Sequence, residues 1–173
     1  MNIQDILNQL LNARVSHLRW VARAEALVEG VPLDKNQVPL LATDCDFAHW
    51  YLGEGRVLRH LPSYDNVAIH HDRLHRIYWD IFTHLYGEKD RLNIFQWLGV
   101  KHTVNHSNQE KARLLIPQLK EASQEVLTSL EQLTSEFNQY LKPKKNQNNN
   151  PVDALDKLQH NLEKMGYGGK SSS

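Results

Sequence analysis

The sequence predicts an all-α fold: an antiparallel four-helix bundle with a short extra helix. Apolar residues recur at three- and four-residue steps through several long stretches of the chain. Only 8 of the 173 residues are glycine, and no stretch shows the alternation of apolar and polar residues that is typical of a half-buried strand. Helical stretches joined by short connections pack most simply as antiparallel neighbours.

The first predicted helix covers residues 2–29 and ends at Gly30, a residue type that commonly follows a helix C-terminus. Residues 31–39 form a loop with two prolines. The second helix runs from about residue 40 to residue 52, and the glycine-containing segment GEGR at 53–56 ends it.

The third helix is predicted over about residues 66–86, with Ser63 or Asp65 as its N-cap. Residues 88–103 are too apolar for a free loop and are predicted to form a short helix or a bent segment. A long amphipathic helix then covers about residues 104–141, and Pro117 should kink it.

The domain organisation follows from the C-terminal composition. Residues 1–141 are predicted to form one helical bundle. Residues 142–152, basic and rich in asparagine, form a flexible linker. Residues 153–173 carry a short amphipathic segment and a tail that is expected to be disordered.

Composition excludes several classes of function. Lys+Arg and Asp+Glu are both 20, whereas a general binder of nucleic acid or of anionic membranes needs a basic excess. No apolar run approaches the roughly 20 residues of a membrane span, and the N-terminus lacks the features of a signal peptide. The single cysteine fits a cytoplasmic protein. We therefore expect a cytoplasmic location without a nucleic-acid or membrane partner.

The candidate site begins in the third helix, in the segment IHHDRLHRIYWDIF at 69–82. His71 and His75 are four residues apart, so both rings leave the same face of the helix. An unpaired buried polar group costs about 1–3 kcal/mol, and a metal ion is one partner that satisfies both imidazoles.

Two further candidate ligands lie on the core-facing lines of the preceding helices, His17 on the first and Cys45 on the second. One cysteine and three histidines match a closed tetrahedral zinc site. The simpler alternative is that the histidines are ordinary core residues and that the cysteine is a small hydrophobe. A second pair at the same spacing, His102 and His106, lies among polar residues and is interpreted as a chance match.

The residues around the candidate ligands resemble the chemoreceptor zinc-binding (CZB) domain family. The similar segments are HLRW at 17–20, CDFAHWYLGEGR at 45–56 and HDRLH at 71–75. The gaps of 28 residues from His17 to Cys45 and 26 from Cys45 to His71 also look like those of the family. One departure is Ala48, which stands where the family has glycine.

The resemblance implies a four-helix bundle that binds one zinc ion per chain, held between three helices by His17, Cys45, His71 and His75, and a homodimer. CZB domains are usually attached to bacterial chemoreceptors or to enzymes that make cyclic di-GMP, and they respond to zinc or to oxidants such as hypochlorous acid that attack the zinc-bound cysteine. Neither output module is visible in this sequence. The resemblance therefore implies a free-standing sensor or adaptor with an unknown signalling partner.

Two alternatives to a sensor remain at this stage. The zinc could be a permanent staple in a structural adaptor or scaffold, because structural sites are also closed and four-coordinate. An enzyme is disfavoured, because a catalytic zinc keeps an open position and the Glu-x-x-His pairs of di-iron bundles are missing.

Residues near the ligands have candidate supporting roles. Asp44 and Asp46 flank the cysteine, and either could accept a hydrogen bond from a ligand imidazole. The alternative, equally supported, is that both are exposed acids at a helix cap. Trp20, Trp50 and Trp79 are interpreted as core aromatics that shield the site from water.

Overall fold

The computed structural model describes residues 2–33, 37–86 and 106–142, together with Asp156, Lys157 and His160. The regular secondary structure of these residues is entirely helical, which confirms the predicted fold class. The three described segments contain the α-helices α1 (Ile3–Val28), α2 (Asp46–Leu52), α3 (Tyr64–Tyr86), α4 (His106–Arg113) and α5 (Ile116–Tyr140). Two 3₁₀-helices, Ala42–Asp44 and Glu54–Leu58, flank α2.

Helix α1 has a well-defined cap at each end, which explains why its predicted bounds are accurate. At its start, Asn2 and Asp5 exchange side chain to backbone hydrogen bonds in a capping box. At its end, Gly30 has a φ of 86°. The N–H of Gly30 bonds to the Leu27 carbonyl and that of Val31 to the Ala26 carbonyl, the pattern of a Schellman motif.

The polar contacts of α5 give the directions of the three long helices. As the residue number increases along α1, the number of its contact residue on α5 decreases. The same relation holds between the beginning of α3 and α5. Helices α1 and α3 therefore both run antiparallel to α5 and parallel to each other. The pairs are Arg14–Glu131, His17–Ser123 and Glu25–Lys120 for α1, and Ser63–Glu136, His70–Ser129 and Arg73–Glu125 for α3.

Because α1 and α3 are parallel, the chain between them must run back along their length. We name residues 37–58 the return segment. Successive positions of this segment contact α1 and then α3 in the order expected for such a path. The contacts are Gln37 with Arg23, Pro39 with Trp20, Leu40 with His75, Cys45 with His71, and Tyr51 with Tyr64.

The antiparallel four-helix bundle is not confirmed. The part of the chain that the structure describes has three long helices, but the position between α1 and α3 is filled by the return segment, whose α-helix has only seven residues. The predicted helix over 40–52 was wrong in its first half. Cys45 has extended backbone angles, φ −88° and ψ 151°, because it is the N-cap of α2 and not a residue within a helix.

The single long helix predicted over 104–141 was also wrong. The described part of this stretch contains two helices, α4 and α5, which are separated at Leu114 and Leu115. Pro117 lies in the first turn of α5, where its missing N–H needs no partner. The proline therefore marks the beginning of a new helix and does not kink a continuous one.

Two tyrosines hold the C-terminal end of α2 against the beginning of α3. The Tyr64 hydroxyl donates to the Tyr51 carbonyl at 2.6 Å, and the Tyr51 hydroxyl donates to the Tyr64 carbonyl at 3.4 Å. Their rings stack with centroids 4.3 Å apart. We call this pair the tyrosine clamp. It fixes one end of a helix that is too short to be stable by itself.

Several predictions lie outside the described residues: the segment at 88–103, residues 143–152 of the linker, and nearly all of the tail. His102 is also outside them, whereas His106 is described and exposed. Within the described residues, none of the helices has the length and apolar character that crossing a membrane would require.

The contact between Ser63 and Glu136 gives a test of the packing of α3 on α5. The Ser63 hydroxyl and backbone N–H both donate to the Glu136 carboxylate, at 2.6 and 3.0 Å. Glu136→Ala should lower the free energy of unfolding by about 1–3 kcal/mol, because it leaves buried donors without an acceptor. Urea unfolding measures this change.

Glu131→Ala is the matched control on the same helix. The Glu131 side chain is 57% exposed in its ion pair with Arg14, so its loss should cost less than about 1 kcal/mol. Equal losses in the two variants would contradict the described packing.

Candidate metal centre

Three of the four predicted ligands come together in the core. One ligand atom from each of Cys45, His71 and His75 lies within 4.8 Å of the other two. All three side chains are buried, with 3%, 6% and 4% of their surface exposed. The return segment supplies the sulfur, and α3 supplies both imidazoles from successive turns.

The His75 ring is held in one orientation by one of its nitrogens, and the other nitrogen has no hydrogen-bond partner. Its Nδ1 lies 3.1 Å from the Leu40 carbonyl oxygen, and because a carbonyl can only accept, Nδ1 carries the proton. Its Nε2 then has a free lone pair, and this buried atom has no hydrogen-bond partner. A buried nitrogen of this kind is costly unless another group binds it. A metal ion is such a group, and the carbonyl bond to the second nitrogen is a common support for ligand histidines.

Cys45 reaches the site because of its position as the N-cap of α2. Its Sγ accepts the backbone N–H of Ala48 at 3.3 Å and lies 3.3 Å from the Ala42 carbonyl oxygen. The same sulfur lies 3.2 Å from Nε2 of His71. One atom therefore caps a helix and contacts α3.

Burial sets the protonation of the site. Removal from water lowers the pKa of His71 to about 3, and it also lowers the pKa of His75. Both imidazoles are therefore neutral near pH 7, the form that binds metal. Burial raises the pKa of Cys45, although the Ala48 N–H opposes this change. A bound cation would reverse the effect on the thiol. Two neutral imidazoles and a sulfur make a donor set that fits zinc.

His17, the fourth predicted ligand, lies beside the other three but is not part of their group. It is 1% exposed, and burial lowers its pKa to about 4. Its Nε2 lies 2.9 Å from the hydroxyl oxygen of Ser123 on α5. The edge of its ring faces Phe47, with centroids 6.0 Å apart. Whether His17 completes the ligand set stays a prediction.

Aromatic rings pack around the imidazoles. Phe47 stacks on His71 at a centroid distance of 4.6 Å, and Trp20 lies 4.5 Å from His75. Trp50 packs on the other side of Phe47, at 5.6 Å, and so supports the site indirectly. The Nε1 atom of Trp50 is buried without a hydrogen-bond partner. Trp79 is half-buried on α3, and its predicted shielding role stays a prediction.

The two aspartates that flank Cys45 lie at the protein surface. Asp44 and Asp46 are both exposed. Either aspartate was expected to accept a hydrogen bond from a ligand imidazole. For His75, the Leu40 carbonyl accepts this hydrogen bond instead. Asp44 accepts the hydroxyl of Thr43 instead. Both aspartates are still close enough to act electrostatically, Asp46 on Cys45 and Asp44 on His75.

Sequence reasoning missed two contributors to the site. Leu40 acts through a backbone carbonyl, which every residue type has, so no sequence signal could have identified it. Ser123 could have been found, because it is a small polar residue at spacings of four and three from the apolar Leu119 and Val126 of the α5 stripe. Polar residues on such a stripe require a partner.

Comparison with known proteins agrees with this geometry. Residues 17–81 match the family model of the chemoreceptor zinc-binding domain. The matched range begins at His17 and includes Cys45, His71 and His75. No curated protein and no solved structure matches the chain. The recognition made from the sequence is confirmed for this stretch: residues 17–81 match CZB, a zinc-binding domain of chemoreceptor type.

The contact between His17 and Ser123 can be tested by stability. Ser123→Ala removes the hydrogen-bond partner of a buried imidazole nitrogen and should lower the free energy of unfolding by about 1–3 kcal/mol. Urea unfolding of the metal-free protein measures this change, and Ser135→Ala, at an exposed position of the same helix, is the control. If Ser123→Ala is as stable as Ser135→Ala, the contact does not hold His17.

Proposed function

We propose that this protein is a cytoplasmic, bacterial zinc-binding regulatory protein that holds one Zn²⁺ per chain and signals through a partner protein. The ligands would be Cys45, His71 and His75, with His17 as the fourth. The observation that carries the proposal is the unpartnered Nε2 of buried His75, close to a sulfur and a second imidazole. We propose no catalytic role for the site.

His17 can join the ligand set without losing its bond to Ser123. If Nε2–H donates to the serine hydroxyl, the lone pair of Nδ1 remains available, because a neutral imidazole has one donor and one acceptor nitrogen. Ser123 would then support this histidine as Leu40 supports His75.

Bound zinc would hold the Cys45 sulfur as a thiolate and join α1, the return segment and α3. The signal would arise at α2, because the same sulfur caps that helix. Without that cap, α2 would be held by the tyrosine clamp and by the packing of its buried residues Phe47 and Ala48. Seven residues do not form a stable isolated helix, so loss of the cap should loosen it.

Oxidation of Cys45 is one proposed trigger, and zinc availability is the other. The thiolate would attack the chlorine of hypochlorous acid, and water would then replace chloride on sulfur to give the sulfenic acid. Sulfur loses two electrons and chlorine gains them. The chain has no second cysteine, so a cellular thiol must reverse the change. The signalling partner is proposed to belong to a chemotaxis or cyclic di-GMP pathway.

The alternative is a structural adaptor in which zinc is a permanent staple. The 3% exposure of Cys45 favours it, because a buried sulfur is poorly accessible to oxidants. The surface cleft that has Cys45 and His71 in its lining favours the sensor.

The first prediction is metal content. Full-length protein should purify with about one zinc per chain by elemental analysis. Cys45→Ala and the double variant His71→Ala/His75→Ala should lose it, because each removes ligand atoms of the buried group. His106→Ala, at an exposed position, is the control and should keep it. Full zinc retention in the double variant would contradict the assignment.

A second prediction separates the sensor from the staple. One equivalent of hypochlorous acid should convert Cys45 to the sulfenic acid, and residues 40–56 should lose protection from hydrogen exchange as α2 loses its cap. Mass spectrometry measures both. An unmodified Cys45 with unchanged exchange would leave only zinc availability or a structural role.

We also propose a homodimer through α1. Leu11, Val15 and Leu18 are 59%, 43% and 43% exposed and lie at spacings of four and three, so they form one apolar stripe on the outer face of this helix. A contiguous exposed apolar stripe is typical of an interaction surface, whereas single exposed apolar residues are ordinary. In the dimer, the apolar stripe of one copy would pack against the same stripe of the second copy.

This interface predicts the oligomeric state of designed variants. Leu11→Glu/Leu18→Glu should convert a dimer to a monomer, since it places four carboxylates in a two-fold interface. Ile69→Glu is the control, because Ile69 is also 59% exposed but lies on α3. Light scattering of the zinc-loaded proteins measures the mass. A monomeric unmodified protein at high micromolar concentration would rule out the dimer.

A further inference from the structure

A cleft leads from the protein surface to the metal centre. Its lining includes Cys45 and His71, which are nearly fully buried, and it opens between α1 and the return segment. Its volume is about 50 Å³, more than the roughly 10–15 Å³ that a single water molecule occupies on the same kind of measure. The cleft therefore has room for water and for a small solute, and it gives the buried sulfur a connection to solvent without unfolding.

The charged residues of the cleft lie on opposite walls. Arg19 and Arg23 belong to α1, and the exposed Asp44 and Asp46 belong to the return segment on either side of Cys45. One Arg23 nitrogen donates to the Gln37 carbonyl at 3.3 Å, so this guanidinium is tied to the far end of the return segment.

The carboxylates are closer to the sulfur along the chain than the arginines are. Asp44 and Asp46 are the residues directly before and after Cys45, whereas Arg19 and Arg23 belong to α1. The wall of the cleft that carries the sulfur is therefore acidic, although the whole lining has two charges of each sign. Negative charge beside a narrow opening with low-dielectric walls attracts cations and repels anions.

We propose that this cleft is the passage through which a divalent cation reaches and leaves Cys45 and His71, with Asp44 and Asp46 as the carboxylates that collect it. The identity of the cation as zinc rests on the proposed function. The passage itself rests on the cleft and its charges. Oxygen ligands on an exposed wall bind a hydrated divalent ion weakly, and transfer to buried nitrogen and sulfur then completes its capture.

The single cysteine allows a test that needs no metal. The metal-free full-length protein is treated with two methanethiosulfonates of similar size, one cationic with a trimethylammonium group and one anionic with a sulfonate group. Each labelling rate of Cys45 is divided by the rate of the same reagent with the urea-unfolded chain. The cationic reagent should be favoured by about tenfold, and the preference should largely vanish in Asp44→Asn/Asp46→Asn.

Asp72→Asn is the matched control. Asp72 also acts on His75, but it lies on α3, is paired with Arg76 and does not line the cleft. The control should keep the preference for the cationic reagent. Equal relative rates for both reagents in the unmodified protein, or an unchanged preference in the Asp44/Asp46 variant, would overturn the proposal.

Blocking the cleft gives a second, independent test. Ser16 is a half-buried residue of its lining, and Ser16→Trp should slow labelling by both reagents about tenfold or more. Asn12→Trp, one turn earlier at an exposed position of α1, should label as the unmodified protein does. Unaltered labelling of a folded Ser16→Trp variant would mean that solutes reach Cys45 by local opening of the chain, which would also overturn the proposal.

The rate of zinc uptake tests whether the metal itself uses the passage. Zn²⁺ is mixed with each metal-free protein, and its capture is followed in a stopped-flow instrument with a fluorescent zinc indicator. Asp44→Asn/Asp46→Asn should slow capture about tenfold at low salt, and the difference should shrink as salt screens the carboxylates. The amount of zinc held at equilibrium should stay the same, because the ligands are intact.

The two claims fail in different ways. If no variant binds zinc, the proposed function fails, and the labelling rates still decide the passage. If zinc is held in the predicted amount but the Asp44/Asp46 variant takes it up as fast as the unmodified protein, the proposed function stands and the passage is wrong.

Discussion

The approach of the Cys45 sulfur to the two imidazoles of α3 is the constraint on which the rest of the structure depends. Sγ lies 3.2 Å from Nε2 of His71, and Nε2 of His75 has no hydrogen-bond partner although it is buried. A buried nitrogen without a partner destabilises the fold unless another group binds it. A metal ion is such a partner for neutral imidazoles and a thiolate. These groups all lie within residues 17–81, the part of the chain that matches the zinc-binding CZB domain.

The parallel arrangement of α1 and α3 explains how the chain brings these groups together. Parallel neighbours need a connection that runs back along their length, and the return segment is that connection. It carries Leu40 and Cys45 past the middle of α3, where one supplies a carbonyl and the other a sulfur. The tyrosine clamp holds the C-terminal end of α2 against the beginning of α3. A change at Cys45 would therefore affect α2 first, because Cys45 caps this helix and its seven residues are not stable without tertiary contacts.

Sequence periodicity was sufficient for the helical class, for α1 and for the body of α3, because long amphipathic stretches with clear end signals leave little ambiguity. It failed around Cys45. An apolar line from Leu41 to Leu52 looks helical, but an N-cap needs extended backbone, and cysteine is not among the usual N-cap residues. It also failed at Pro117, because a kink and a new helix start have the same local sequence signal.

The candidate ligands were predictable to different degrees. His71 and His75 follow from spacing on a single helix, whereas Cys45 and His17 required the family resemblance, since nothing local shows which residues of separate segments meet. The support from Leu40 and Ser123 depends on the tertiary path of the return segment and on the register of α5. Both are set by packing over long sequence separations, which sequence patterns do not encode locally.

X-ray absorption at the zinc edge of the purified full-length protein tests the central claim most directly. We expect a four-coordinate ion with one sulfur at about 2.3 Å and nitrogen ligands at about 2.0–2.1 Å, and no bound zinc to measure in Cys45→Ala. A coordination shell of nitrogen and oxygen alone in the unmodified protein would contradict it, because the metal would then not lie at Cys45, His71 and His75.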